Sequence, residues 1–220
     1  MTRSVLDVWN IALSECSGRG NVALQEENTV EARICKRYYG VVRDAVQEAS
    51  WWPSCKQTSR LSLAREREES MWRDGDPDDG KLFAYRLPND LLRPWYLLDG
   101  SHFVVSQIDG EPMLHTDTED GVLVYAKRVE DSTRWSVALF NATYKMLAAA
   151  ISRPLRGSES LSNRLFQEAQ LQITTSQADA ANSDSNDYEA VPDWIAARLG
   201  RGPAVRYLYP FSTSYTTLVT

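Results

Sequence analysis

Along this 220-residue chain the spacing of apolar residues changes twice, from three or four positions to two and back again. A helix buries side chains at the first spacing and a half-buried strand at the second, so the chain must fold as helices, then strands, then helices. Val5, Leu6, Trp9, Ala12 and Leu13 outline a first helix over about residues 4–13, and the glycines of Ser17-Gly18-Arg19-Gly20-Asn21 place residues 14–27 in a loop. Asn28, with Glu31 three residues later, is the expected N-cap of a second helix whose stripe is Val30, Ile34, Tyr38, Val41, Ala45 and Ala49. That helix should stop at Trp51-Trp52-Pro53, because proline restricts its predecessor and cannot donate to the helical ladder.

Over 56–130 the period is two. Leu61 and Leu63 alternate with polar neighbours, and β-prone runs follow at 82–87, 102–108, 112–115 and 122–126. Turn formers separate them: Asp74 to Gly80, Asp99-Gly100, Asp109-Gly110 and Glu119-Asp120-Gly121, with glycines available for positive φ. A meander or small sandwich between helices is implied. Helical spacing returns at about Ser132, with Trp135, Leu139, Phe140, Leu147, Ala148 and Ile151 before Pro154 and Gly157 end it; Leu161, Leu165, Ala169, Ile173 and Ala180 outline a fourth helix. From Asp184 to Thr220 no period survives, yet six aromatic side chains fall there. Acids are confined to 184–193 and Arg198, Arg201 and Arg206 follow without any, so this aromatic, basic tail calls for a partner surface.

Charge and composition narrow the functions. A net charge of −6 disfavours a surface built to grip phosphates, and a sequence-specific nucleic-acid binder is not expected. Cys16, Cys35 and Cys55 are odd in number and widely spaced, which fits free thiols in a reducing compartment rather than a disulfide scaffold or a zinc site. No apolar run reaches a membrane span, and the first residues lack the order of a signal peptide. Asp74, Asp76 and Asp78 have the spacing of a calcium loop, but Asp79 and Tyr85 stand where glycine and glutamate belong, so a solvated turn is the simpler reading.

His102 and His115, the two histidines, lie in expected strands as half-exposed residues, and no Gly-x-Ser-x-Gly accompanies them. Glu66, Glu68 and Glu69 could pair with Asp117 or Glu119 as acid and base of a glycosidase, although Arg65 and Arg67 beside them favour a solvated charged face. No phosphate-binding loop or dinucleotide fingerprint occurs, and no cofactor or metal is expected. The seven tryptophans are expected in the core and at interfaces.

Taken in order, one set of landmarks spanning about residues 4–200 resembles a single family. The set comprises Trp9-Asn10-Ile11-Ala12-Leu13, Glu31-Ala32 with Cys35, Tyr38 and Tyr39, Arg43-Asp44 running to Trp51-Trp52-Pro53, and Tyr85-Arg86-Leu87-Pro88-Asn89-Asp90. It continues with Tyr125, Val129-Glu130-Asp131, Trp135, Leu147 to Ile151 before Pro154-Leu155, and Asp193-Trp194-Ile195-Ala196-Ala197-Arg198. The family is tail tubular protein A, the head-to-tail adaptor of short-tailed phages. The resemblance implies a helical bundle with an inserted β-domain, in agreement with the changes of spacing, so the expected fold is α+β with a four-helix bundle at 1–55 and 131–183 and an antiparallel β-domain at 56–130; composition alone makes 184–220 an extended C-terminal tail. The resemblance also implies a structural protein of the virion tail, assembled in the host cytoplasm and not an enzyme. Such a protein forms a ring, typically of twelve subunits, between the portal and the nozzle (tail tubular protein B), with fibres at its rim and double-stranded DNA passing through. A ring of acidic chains would present a negative wall that does not retain DNA.

Arg201 to Thr220 has no counterpart in the family, so its role rests on composition. Alternation in Arg206-Tyr207-Leu208-Tyr209-Pro210-Phe211 puts Tyr207, Tyr209 and Phe211 on one face, the pattern of strand addition to an edge. Arg206, Tyr207, Tyr209, Phe211 and Tyr215, with Trp194 and Arg198, are therefore the expected contacts to the portal or a neighbouring subunit. Two other classes compete: a tail-associated hydrolase of cell wall or polysaccharide, and a binding module unrelated to virions.

Overall fold

The computed structural model describes residues 3–17, 21–66, 81–108 and 110–184, which form a mixed α+β fold with four helices and antiparallel sheets. Helix α1 (Val5–Ser17) opens on a reciprocal cap: the Ser4 hydroxyl accepts from the Asp7 N–H at 3.2 Å, and the Ser4 N–H donates to the Asp7 carboxylate at 2.8 Å. It runs past Leu13, where a loop was expected, because Cys16 extends the apolar face: its thiol is buried and donates to the Ala148 carbonyl at 2.9 Å. Helix α2 (Val30–Ala49) is capped by Thr29 rather than Asn28, the Thr29 hydroxyl accepting from the Ala32 N–H at 3.3 Å.

After a 3-10 turn at Pro53–Cys55 come β1 (Lys56–Arg60), β2 (Ser62–Glu66), β3 (Phe83–Arg86), β4 (Leu91–Leu97), β5 (Phe103–Ile108), β6 (Glu111–Thr116) and β7 (Val122–Lys127). Two antiparallel sheets result, in the orders β1-β7-β4 and β2-β3-β6-β5. Alternation did not reveal β1 or β4. The first is polar at every position and lies at a sheet edge; the second carries Pro94, which an edge strand tolerates, with register shifts on either side. Leu61, Tyr85, Leu97, Leu114, Leu123 and Tyr125 come from both sheets and share one buried layer. Gly100 and Gly110 take positive φ, and a Cβ at Gly121 would lie in van der Waals contact with the Tyr85 ring.

A second 3-10 turn, Ser132–Arg134, stands where helix was expected, and Ser136 caps the true start of α3 (Val137–Arg156) by accepting from the Leu139 N–H at 3.2 Å. Pro154 does not end α3; in the last turn it removes only one donor, and the helix stops at Gly157, whose φ of 64° lets its N–H reach the Arg153 carbonyl at 2.8 Å. Helix α4 (Glu159–Asp184) is tied to α3 by Ser162 to the Ala149 carbonyl at 2.9 Å and Lys145 to Glu168 at 3.1 Å, and to α2 by Gln177 to the Ala49 carbonyl at 2.9 Å. Trp9, Leu13, Cys35, Leu139, Leu147 and Leu165 belong to one core gathered from the four helices.

Helices and sheets meet over a short stretch at the end of α2. Gln47, fully buried, donates to the Val129 carbonyl at 2.8 Å and accepts from the Val129 N–H at 3.0 Å, while the Trp135 indole donates to the same carbonyl at 3.0 Å. The Trp51 ring stacks on Trp95 at 4.2 Å with 16° between planes and on Tyr96 at 5.6 Å. Trp52, also buried, donates its indole N–H to the Val46 carbonyl at 2.7 Å, satisfying an acceptor the helix end leaves open.

Candidate functional site

The residues expected to meet a partner, Trp194, Arg198, Arg206, Tyr207, Tyr209, Phe211 and Tyr215, lie outside the described residues, as do Glu68, Glu69 and the Asp74–Asp79 turn. The remaining catalytic candidates are placed. Glu66 is exposed on β2, two strands from Thr116 in the register, and Asp117 is engaged by the Lys81 ammonium at 2.8 Å. His102 precedes β5 rather than lying in it, and is exposed. His115 is in β6 but buried, not half-exposed, and its Nε2 sits 2.8 Å from the Ser106 hydroxyl. Alternation could not reveal this pair, because it joins two strands diagonally. A serine within hydrogen-bond reach of an imidazole is the geometry of an activated nucleophile. Neither cleft described below includes it.

The three thiols are buried and free, and burial pushes them up, to about 11 for Cys16 and about 12 for Cys35 and Cys55, so they are poor nucleophiles near neutrality. Among the described residues no group of His, Cys, Asp and Glu could hold a metal, and no helix is long and apolar enough to cross a membrane.

Among the described residues an apolar groove of about 560 Å³ is lined by residues of α2, α3 and α4. Val41 and Ala45 come from α2, Met146 and Ala150 from α3, and Phe166 and Ile173 from α4, with Arg153 and Gln170 among the polar residues lining it. It exists because α2 has two apolar stripes. The expected stripe, through Val41 and Ala45, is not the one that fills the core; Ala32, Cys35, Tyr39, Val42 and Val46 do that. The two differ by about 100° round the helix, the turn of one residue. Val41 is consequently 73% exposed and Phe166, opposite, 48%. A second, polar cleft of about 180 Å³ lies at the start of α2, lined by Gln25 to Asn28, Ala32, Arg33 and Lys36.

A charged tip forms where the β4–β5 and β6–β7 turns adjoin, joined by the Leu98 N–H to the Val122 carbonyl at 2.8 Å. The Asp99 carboxylate accepts from the hydroxyls of Thr118 at 2.6 Å and Ser101 at 2.8 Å. Burial raises the Asp99 carboxyl, but these bonds outweigh it and hold the group below the usual carboxylate range. Leu98 projects beside it, 56% exposed. In comparisons with known proteins, no family model matches the chain, and no curated protein matches it either.

Proposed function

We propose that this chain is a head-to-tail adaptor of a short-tailed phage virion, a structural protein of the tail and not an enzyme. In this reading the four helices act as a bundle, the strands between α2 and α3 as an inserted domain, and residues 184–220 as an extended tail carrying the portal or inter-subunit contacts. A ring, twelve subunits in the family, joins portal to nozzle, admits fibres at its rim and leaves a channel for DNA ejection. The observation that carries the proposal is the ordered set of landmarks, because its aromatic members hold the fold together. Trp9, Tyr39, Trp52, Tyr85, Tyr125 and Trp135 are all buried, and Trp52 and Trp135 also donate at the helix–sheet junction. The insertion is supported by register, since Lys56 pairs with Ala126 and the strands that begin and end the β region are therefore neighbours.

The test is imaging of the purified chain, alone and mixed with the portal protein as template. The expected particle is a closed ring with a central opening wide enough for duplex DNA. A monomer under both conditions overturns the proposal.

A further inference from the structure

The exposed edge of α2 reads Arg33, Arg37, Val41, Ala45 at four-residue steps, so two cations lie in line with the groove wall. Neither guanidinium meets a carboxylate among the described residues. At the tip of the β region the pattern is inverted. Exposed Leu98 is followed by Asp99, whose carboxylate accepts from the Thr118 and Ser101 hydroxyls and the Ser101 N–H, and is joined through Val122 to the turn bearing Glu119; neither acid meets a cation among the described residues. Gly100, with φ 74° and no side chain, keeps that turn narrow.

We infer that the α2–α4 groove receives the Leu98 tip of a second copy of this chain. Leu98 then sits between Val41 and Phe166, and Asp99 and Glu119 face Arg37 and Arg33. The argument for a second copy is that both halves are on the same chain: an apolar socket with two cations and an apolar knob with two anions, none of the four in an ion pair among the described residues. Because the halves are different patches, the contact is heterologous and repeats from copy to copy, which closes a ring when the rotation permits. The inference rests on the ring reading above and names the contact that would build it.

Two variants test it by light scattering, at concentrations where the native chain assembles alone or on the portal. One closes the socket (Arg37→Glu with Val41→Glu); the other blunts the tip (Leu98→Glu). All three sites are on the surface, and circular dichroism checks that each variant is folded. Each variant alone should stay monomeric. Their equimolar mixture should give a species of two chains and nothing larger, since one intact socket meets one intact tip. Raising salt from 50 to 500 mM should weaken that pair by about tenfold, as exposed charges are screened. A mixture that stays monomeric, or a variant that still assembles alone, places the contact elsewhere and leaves the ring reading standing. A native chain that assembles under neither condition removes both.

Discussion

Replacing Gln47 by leucine is expected to destabilise the protein by about 1–3 kcal/mol, the cost of leaving the part-buried Val129 N–H without its partner. The magnitude follows from an asymmetry at Val129. Its carbonyl accepts from both Gln47 at 2.8 Å and Trp135 at 3.0 Å, so it keeps a partner when Gln47 is lost. Its N–H, at 3.0 Å from the Gln47 amide oxygen, does not. Leucine has a similar size, so little cavity energy adds to the polar loss; alanine should cost more. Glutamate should cost more than leucine at neutral pH, because its carboxylate would face the Val129 carbonyl in a fully buried site. The assay is urea unfolding at pH 7, where a slope of about 2 kcal/mol per molar turns the leucine effect into a midpoint shift of about 0.5–1.5 M. Hydrogen exchange at the Val129 amide supplies a local readout. A Gln47→Leu protein within about 0.5 kcal/mol of the native chain, the usual scatter for surface sites, would refute the reasoning.

Two tyrosines should respond in opposite ways to loss of the hydroxyl. Tyr39 has a buried hydroxyl without a partner among the described residues, so Tyr39→Phe should be neutral or stabilising, whereas Tyr125 donates to Asp90 at 3.0 Å and Tyr125→Phe should cost about 1.5–3 kcal/mol by thermal or urea unfolding. The buried thiols predict an alkaline limit. Unfolded cysteines ionise near pH 8.5, but the native thiols hold their protons to about 11 for Cys16 and about 12 for Cys35 and Cys55. Stability from this source is therefore complete below about pH 8.5 and falls as pH rises from there towards 12, and alkylation at pH 8 should follow global unfolding. The Ser106–His115 pair gives the hydrolase reading its direct trial: a fluorophosphonate probe should leave the native protein unlabelled, and labelling that disappears in Ser106→Ala would make this serine a nucleophile.

Periodicity located the four helices and most of the strands because burial on one face leaves a record in the residues themselves. It misjudged α2, where two apolar stripes lie side by side and nothing local says which one the core takes; Tyr39 and Val42 won over Val41 and Ala45 only through tertiary contacts. Pro94 and the polar run Lys56 to Arg60 hid two strands, since edge positions need neither alternation nor every donor. Pro154 misled in the other direction: α3 gives up one ladder hydrogen bond there and still runs two residues further, to Arg156, before Gly157 ends it. The groove and the tip were not legible at all. Each joins residues distant in sequence: Val41 and Phe166 line one groove, and Leu98 meets the Glu119 turn through a pairing with Val122.

The junction explains how one apolar surplus could be left exposed without the fold coming apart. Within six residues, Gln47 to Trp52, the end of α2 and the residues just after it hold the β region by a two-bond amide clasp and a stack of three rings, while the Trp52 indole closes the helix end. Aromatic pairs of this kind add about 0.5–1.5 kcal/mol beyond the area they bury. These contacts fix the end of α2 on one flank, and Tyr39, Val42 and Val46 fix its length in the helical core. Its remaining edge, Arg33 to Ala45, is thus set in place while taking no part in the core. An edge fixed in position, apolar and cationic, offers a partner a surface whose ordering has already been met by folding, so a docking tip loses only its own freedom on binding.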